Sequence, residues 1–314
     1  MSHEPISGQY QRFTDLLPPG PGVPLYLSYF YPRDRIGFRH GVFISGAALA
    51  NAYSGALAYG IVQITGSLPP WKILFLIEGL PTCFFAIFVW FFLPDSIMTA
   101  KFLNEREKQV ALHLVARNQR LDVGKTQGLR VKEVLAGFKD PKSWIPAACY
   151  FGCNVSYASL PLFVPLIINE MGTWNNAVSN GLSAPPYLLC FFYIWFICWL
   201  SDRLKKRGPF VALSALIGAI GFVILATATS VGVRYFGIFF AVQIFASVAL
   251  LLAWTANNHA TESKRAGSYV VLATVGQCGP LLGKSHHRNL GSRDTQLTFC
   301  RYECLSGLRE TLLS

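Results

Sequence analysis

The sequence predicts an all-α, polytopic membrane protein, a helix bundle with about seven spans. Of its 314 residues, 52% are hydrophobic and only 14% are charged, which is too apolar a composition for an ordinary water-soluble domain. The mean hydropathy is +0.38. The apolar residues also gather into uninterrupted segments, and segments of this length are typical of helices that cross a bilayer.

Seven segments carry this prediction, each near the ~20 apolar residues that cross ~30 Å of hydrocarbon. They are residues 41–66, 73–93, 143–169, 182–200, 209–233, 235–258 and, shorter than the rest, 266–283. The stretch 23–31 is too short to cross alone and is interpreted as the stump of an earlier span. The predicted organisation is an N-terminal segment (1–40), two transmembrane helices (41–93), a cytoplasmic central loop (94–142), a second transmembrane bundle (143–283) and an atypical basic tail (284–314).

The positive charge, +11 overall, is concentrated in alternate loops. Lys and Arg cluster at residues 33–39, 94–142, 202–207 and 264–265, whereas the other loops carry little beyond Lys72 and Arg234. Because basic loops stay on the cytoplasmic side, this alternation predicts a cytoplasmic N-terminus. It accounts for the charge without nucleic acid, and it argues against a seven-helix receptor, whose N-terminus would lie outside.

Three local patterns give further expectations. Residues 105–119 of the central loop have helical periodicity, with a disordered linker as the alternative. Small residues recur at every fourth position of the first span and predict a close helix contact. Prolines inside the spans predict breaks or kinks. The small residues are Gly46, Ala50, Ser54 and Ala58, and the prolines are Pro161, Pro165, Pro185 and Pro186.

Several motifs resemble the major facilitator superfamily and, within it, the fungal allantoate permease family of anion:cation symporters. They are LYLSYFYPRDR from Leu25, GVFISGAALANAYSGALAYGI from Gly41, WKILFLIEGLP from Trp71, LPDSIMTAKFLNEREK from Leu93, NGLSAPPYLL from Asn180, SDRLKKRG from Ser201 and WTANNHATESKRA from Trp254. The resemblance covers about residues 21–283. Cys198 and Lys205 stand where the family has glycines, and the family's first three helices and its twelfth have no counterpart.

The resemblance implies a function, which no catalytic motif contradicts. It implies a secondary transporter of small organic anions, carboxylate or ureide nutrients, coupled to protons, in a multi-pass protein of the plasma membrane. No enzyme activity, cofactor, metal site or nucleic-acid partner is expected. The implied partners are the anion, protons and the bilayer, with a second copy or the missing half of the transporter supplying further helices. The alternative is a truncated remnant that does not transport.

Polar residues inside the spans are candidates for the solute pathway. Asn154 and Tyr157 lie one turn apart on one face of their span, and Asn51 lies on the first span. A carboxylate or amide solute needs such donors near the midplane, and the alternative is hydrogen bonding between helices. Glu78 is the ionisable residue inside a span. It is a candidate proton acceptor or, alternatively, a structural group paired with Lys72 or a neighbouring helix.

The loop after the fourth predicted span is a candidate gate. Asp202, Arg203 and Arg207 lie at a helix end, where ion pairs form and break as two bundles rock against each other. The alternative is an ordinary positive-inside loop, which the charge alone explains.

Overall fold

The computed structural model describes residues 36–64, 69–92, 103–118, 131–172, 174–259 and 262–288, with a few single positions between 23 and 100. Regular structure in this described part is entirely helical, which confirms the predicted all-α class. Its ten helices are α1 (Ile36–Val62), α2 (Pro70–Phe92), α3 (Glu105–Asn118), α4 (Val131–Lys139), α5 (Pro141–Met171), α6 (Asn176–Leu204), α7 (Gly208–Thr227), α8 (Val231–Ala241), α9 (Ile244–Asn258) and α10 (Glu262–Arg288). Most of the N-terminal segment and the tail beyond Arg288 lie outside the described residues.

Six stretches of the described residues are long and apolar enough to cross a bilayer. They lie in α1, α2, α5, α6, α7, and in α8 and α9 taken together. The seventh predicted segment, 266–283, is not among the six, but it belongs to α10, whose residues Ala266, Tyr269 and Leu272 are buried. Ser268 contacts Ser143, and the carbonyl of Gly276 accepts a hydrogen bond from Asn154. Helix α10 therefore runs parallel to α5.

The prolines in the spans do not interrupt them. Pro161 and Pro165 lie inside the continuous helix α5, and Pro185 and Pro186 lie inside α6. The expected breaks are therefore wrong, and the expected kinks stay a prediction. In a bundle, neighbouring helices and local adjustments satisfy the backbone groups that a proline leaves free.

One span is interrupted where no proline occurs. Helix α8 ends at Ala241 and α9 begins at Ile244. Between them the chain tightens, because the Gln243 N–H donates to the Phe240 carbonyl at 3.1 Å, three residues earlier. The two intervening residues, Val242 and Gln243, are neither proline nor glycine. Nothing in the sequence marked this interruption.

Helix α1 packs along α6, but not through the predicted small-residue stripe. Gly46 of that stripe is exposed, and a Cβ placed there meets nothing within 4 Å. The contact face is instead the one that carries Gly41, Ala48 and Gly55. A Cβ on Gly41 would lie 2.7 Å from the Cys198 sulfur, and one on Gly55 would lie 2.7 Å from the Asn180 carbonyl. The stripe prediction is therefore wrong at Gly46 and Ala50, which are both exposed, whereas Ser54 and Ala58 are half-buried. The small residues at the close contacts with α6 lie on another face of α1.

The loops predicted to be cytoplasmic lie at one end of the bundle, here called the basic end. The start of α1 contacts the end of α6 through Phe38 and Asp202, and the start of α5 contacts the end of α9 through Ser143 and His259. Lys264, at the start of α10, pairs with Asp140 just before α5. The structure thus groups the basic loops as the charge alternation predicts, and their cytoplasmic location stays a prediction.

Helix α2 has the least internal contact among the described spans. None of the residues in its apolar window Pro70–Val89 is buried. Two of its phenylalanines, Phe75 and Phe84, are each 69% exposed. In a bilayer this surface faces lipid or another helix.

Two helices lie in the central loop. Helix α3 confirms the helical periodicity at residues 105–119, ending one residue earlier at Asn118. Helix α4 was not predicted, and it packs directly against the first turns of α10. A Cβ on Gly137 would lie 2.7 Å from the Lys264 carbonyl, and one on Gly267 would clash with the Val134 carbonyl. The end of the central loop is therefore fixed to the second bundle.

Candidate functional site

A largely shielded polar contact joins α1 to the end of α6 and the loop between α6 and α7. Asp202 lies in the last turn of α6, and its Oδ2 accepts a hydrogen bond from the Phe38 N–H at 2.7 Å. Its Oδ1 accepts from Arg207 Nη2 at 3.1 Å. Both side chains are largely shielded, with Asp202 13% and Arg207 7% exposed. We call these three residues the Asp202 latch.

Local geometry explains how Arg207 reaches Asp202. Helix α6 ends at Leu204, and Lys205 then adopts φ 54°, ψ 24°, the left-handed conformation that reverses a chain at a helix end. The reversal returns Arg207 to the carboxylate five residues before it. Burial lowers the pKa of the Arg207 guanidinium, and the charge of Asp202 opposes that shift. Arginine nevertheless stays protonated in proteins, so the latch holds an ion pair.

The third predicted gating residue lies outside this latch. Arg203 is exposed, and its guanidinium carbon lies 5.3 Å from the centre of the Trp199 ring. This is a cation–π contact on the outer surface of α6. Of the three predicted gating residues, the structure brings Asp202 and Arg207 together and leaves Arg203 apart.

Sequence reasoning missed the α1 side of the latch. Phe38 contributes only its backbone N–H, which no side-chain pattern reveals, and it lies 164 positions from Asp202. Gly37 allows the approach, since a Cβ there would clash with the Asp202 carboxylate and lie 2.7 Å from Arg207 Nη1. The only sequence signal was the pair Gly37 and Gly41, four residues apart on the face of α1 that meets α6.

The three predicted pathway residues make contacts with different partners. Asn154 is 4% exposed, and its Nδ2 donates to the Gly276 carbonyl of α10 at 2.9 Å. Asn51 donates to the Ala47 carbonyl of its own helix, also at 2.9 Å. The half-buried Tyr157 ring lies 4.3 Å from the ring of Phe245 on α9. Asn154 thus forms the interhelical hydrogen bond of the alternative reading, and a role for any of the three in a pathway stays a prediction.

Glu78 lies near the middle of α2 and is half-buried. The Lys72 ammonium, the partner considered for it, lies 5.4 Å from the centre of the Trp71 ring. Within the described residues, no ion pair to the Glu78 carboxylate is formed. An ionisable group at this depth of a span is costly without a partner.

A second polar cluster at the basic end joins α4, α5, α9 and α10. The Ser143 hydroxyl donates to the Gly137 carbonyl at 2.7 Å and lies 2.7 Å from Ser268 Oγ and 3.4 Å from His259 Nε2. Burial lowers the pKa of His259 to about 4, although Asp140 opposes the shift. At neutral pH His259 is therefore uncharged, and the cluster is held by neutral hydrogen bonds.

The bundle, with its basic loops at one end and polar residues inside its spans, is that of a polytopic membrane protein. The chain belongs to the Major Facilitator Superfamily, whose profile matches residues 20–283. Members of this family, and the relatives described next, are transporters and not enzymes.

Two fungal proteins show the relationship. The chain is 33% identical over 252 residues to the MFS transporter prlL of Fungal sp. (strain NRRL 50135), covering 76% of this chain and 48% of that protein. It is 31% identical over 249 residues to the high-affinity nicotinic acid transporter of Saccharomyces cerevisiae, covering 78% of this chain and 46% of the relative. The chain thus spans about half the length of the relatives it matches.

Solved structures show the same fold. The proton:xylose symporter XylE, bound to 6-bromo-6-deoxy-D-glucose, superposes with a TM-score of 0.61 at 14% identity, covering 92% of this chain and 66% of that one. A bacterial homologue of the iron transporter ferroportin, in its outward-facing state, gives 0.51 at 12% identity, covering 98% and 88%. At these identities the likeness concerns the fold alone.

Proposed function

We propose that the chain is part of a secondary transporter for small organic anions, carboxylate or ureide nutrients, driven by protons in the manner of the allantoate permease family of anion:cation symporters. Two findings support this proposal. The chain belongs to a transporter family, and one relative is named a nicotinic acid transporter, a protein that carries a carboxylic acid. The proposed location is the plasma membrane.

The observation that carries the proposal is the Asp202 latch. It connects α1, which precedes the central loop, to the α6–α7 loop, which follows it. In alternating access two bundles rock about a site near the midplane, and contacts between them at one end must form and break. Hydrogen bonds to a charged group contribute about 1.5–3 kcal/mol each. The latch is therefore strong enough to favour one state and weak enough to open.

The remaining candidates have narrower roles in this proposal. Tyr157 and Asn51 are proposed to face the solute, and Asn154 to hold α5 against α10 beside them. Glu78 is proposed to accept the coupled proton, which fits a carboxylate deep in a span that has no ion-pair partner among the described residues. The gate is narrowed to Asp202 and Arg207, because Arg203 faces outward over Trp199.

A chimeric carrier tests the proposal. Residues 20–283 replace the matching segment of the yeast nicotinic acid transporter, in cells that lack their own carboxylate and ureide permeases. Uptake of a panel of radiolabelled organic anions is measured with and without a protonophore, after surface expression is confirmed. We expect saturable uptake that the protonophore abolishes. Surface expression without uptake of any anion would refute the proposed function, and uptake insensitive to the protonophore would refute the coupling.

The same chimera tests the gate. Asp202→Asn should lower the maximal uptake rate more than it raises the KM, because a gate controls motion rather than binding. Arg203→Gln is the matched control, since it removes a charge from the same helix end without touching the latch. Equal effects of the two substitutions would contradict the gating role and leave the α6–α7 loop as an ordinary positive-inside loop.

A second candidate is a chain that does not transport by itself. The exposed surface of α2 favours this candidate. No residue of the Pro70–Val89 window is buried, so no other described helix covers that side of the bundle. Residues 1–314 expressed alone in the same cells should then insert into the membrane without taking up anions. Saturable uptake abolished by the protonophore would refute this candidate.

A further inference from the structure

Arg265, in the first turns of α10, is the largest fully buried side chain of the described residues, with 2% of its surface exposed. Its Nε and Nη2 atoms are buried and have no hydrogen-bond acceptor there. Buried arginines are ordinarily paired, because a cation shielded from water loses its hydration and needs a compensating negative group. Arg265 is therefore a buried cation whose partner is not supplied by the described part of the chain.

Two of the described acidic residues at the basic end pair with bases other than Arg265. Asp202 pairs with Arg207 at 3.1 Å, and Asp140 pairs with Lys264 at 2.5 Å. The Tyr269 hydroxyl, one turn further along α10, donates to the Leu252 carbonyl at 3.0 Å. Neither of these two carboxylates, nor the Tyr269 hydroxyl, therefore supplies the acceptor that Arg265 Nε and Nη2 lack among the described residues.

The two atoms without acceptors define the chemistry of the missing partner. Nε and Nη2 lie on one edge of the planar guanidinium, and their N–H groups point in the same direction. This edge is the side-on fork that binds two oxygen atoms of one carboxylate or phosphate through parallel hydrogen bonds. A single carbonyl or a spherical anion would satisfy only part of it.

The depth of Arg265 shows which oxyanions reach it. Ser268, three residues later, lies 2.7 Å from Ser143 in the first turn of α5, and Lys264 pairs with Asp140, the residue before α5. Arg265 is therefore level with the end of the span Pro141–Met171. Hydrocarbon gives way to headgroups at that level, so solutes from the water and lipid phosphates both come near.

We propose that Arg265 is a side-on receptor for an oxyanion, a carboxylate or a phosphate group, at the basic end of the bundle. If the occupant is the carboxylate of a solute, the inference rests on the proposed function; if it is the phosphate of a lipid headgroup, it does not. Because the guanidinium is 2% exposed, the ends of α9 and α10 open before the anion enters.

Binding is tested by thermal unfolding of the purified 314-residue chain in dodecyl maltoside micelles, a detergent that carries no phosphate or carboxylate. Sodium phosphate and sodium benzoate are compared with sodium chloride at equal ionic strength, and micelles containing phosphatidylinositol are compared with pure dodecyl maltoside. Arg265→Lys keeps the charge without the fork, and Arg265→Met removes both. Arg203→Met is the control for a loss of charge at the same end. All samples are equilibrated with the probe before heating, since the site must open.

We expect an oxyanion to raise the unfolding temperature of the unsubstituted chain and of Arg203→Met by about 3 °C or more. Arg265→Lys should bind it at least about tenfold more weakly, because one of two charged hydrogen bonds is lost. Without an oxyanion, Arg265→Met should unfold at a higher temperature than the unsubstituted chain, since it removes an unpaired buried cation. If Arg265 instead formed a structural ion pair with another part of the chain, Arg265→Met would unfold at a lower temperature than the unsubstituted chain.

The outcomes separate the two sources of the oxyanion. Stabilisation by phosphate and benzoate supports a solute site, and stabilisation only in micelles that contain phosphatidylinositol supports a headgroup site. No oxyanion-dependent change, an equal change in Arg265→Lys, or destabilisation by Arg265→Met in every buffer would overturn the inference. None of these measurements requires uptake, so a failure of the proposed transport function leaves the headgroup result standing.

Discussion

Gly221 of α7 lies where the chain tolerates no side chain, and replacing it with alanine should destabilise the bundle. A Cβ at this position would clash with the Ala241 nitrogen and lie 2.7 Å from both the Ala241 Cα and the Phe240 carbonyl carbon. Ordinary contact begins at 3.4 Å. All three atoms belong to the backbone of α8, so no rotamer change relieves the overlap.

The cost of Gly221→Ala follows from the displacement that it requires. Helix α8 must move away by about 1 Å, and a gap of that size loses a quarter to a half of the dispersion energy of each contact it opens. Overpacking of this kind costs about 1–3 kcal/mol. Because all three overlapping atoms are backbone atoms of α8, we expect a loss of about 3 kcal/mol, at the upper end of that range.

Two further glycines give matched controls for Gly221→Ala. Gly46→Ala places the methyl group where nothing lies within 4 Å, and it should stabilise by up to about 1 kcal/mol through helix propensity. Gly218→Ala meets the Ile244 Cβ at 3.3 Å, and it should have a small effect. The free energy of unfolding is measured by SDS titration of the purified chain, with far-UV circular dichroism as the signal. If Gly221→Ala differs from Gly46→Ala by less than about 1 kcal/mol, the proposed close contact of α7 and α8 does not exist.

Three further predictions concern the basic end and the topology. Since the pKa of His259 is lowered to about 4 from 6.5, the folded state binds fewer protons than the unfolded state between these two pH values. The free energy of unfolding should therefore fall by about 3 kcal/mol as the pH drops from 7 to 4. SDS titrations across that pH range should show a weaker pH dependence for His259→Gln, and an unchanged pH dependence would contradict the lowered pKa of His259. Arg207→Gln should lower the free energy of unfolding by about 3 kcal/mol, because it leaves the shielded Asp202 carboxylate without its counter-ion. Arg203 is exposed, so Arg203→Gln should change it by less than about 0.5 kcal/mol. Equal losses in the same titration would contradict the ion pair between Arg207 and Asp202. On a cysteine-free background, a cysteine at position Asn176 should react with an impermeant thiol reagent in intact cells and one at Lys206 should not, and the reverse labelling would invert the topology.

The spans were predictable because the bilayer imposes one requirement on all of them. Any segment that crosses hydrocarbon must be long, apolar and fully hydrogen-bonded within itself, so composition alone indicates a helix. The observed helices begin before each of the seven predicted segments, and three of them also end after it, for example Asn176–Leu204 against 182–200. Loop charge predicted which ends meet, and the contacts at Asp202 and Lys264 agree with it.

The packing faces were not predictable, for a physical reason. In a soluble helix the buried face is apolar and the other is polar, but a span that faces lipid is apolar on every side. Ala48 is fully buried and the adjacent Leu49 is 44% exposed, although hydropathy ranks leucine as the more apolar. Only the glycines at close contacts mark the faces, and Gly46 shows that a glycine also occurs on an open face.

The candidate site was predictable where it depends on charged side chains and hidden where it depends on the backbone. The Asp202 loop was identified from its charges, but its partner is an N–H group of α1. Arg203 and Arg207 looked alike in the sequence, and only the left-handed turn at Lys205 decides which of them reaches the carboxylate.

The contact between α4 and α10 has a consequence for how the protein is handled and bound from the aqueous side. Gly137 and Gly267 each face a carbonyl of the other helix, so the two helices touch through their main chains. An antibody fragment that binds α4 therefore also restricts the movement of α10, because a displacement of one helix displaces the other. A peptide tag inserted within Val131–Lys139 would separate α4 from α10. A reagent that binds this short helix outside the spans can therefore select one arrangement of α10 in the bundle.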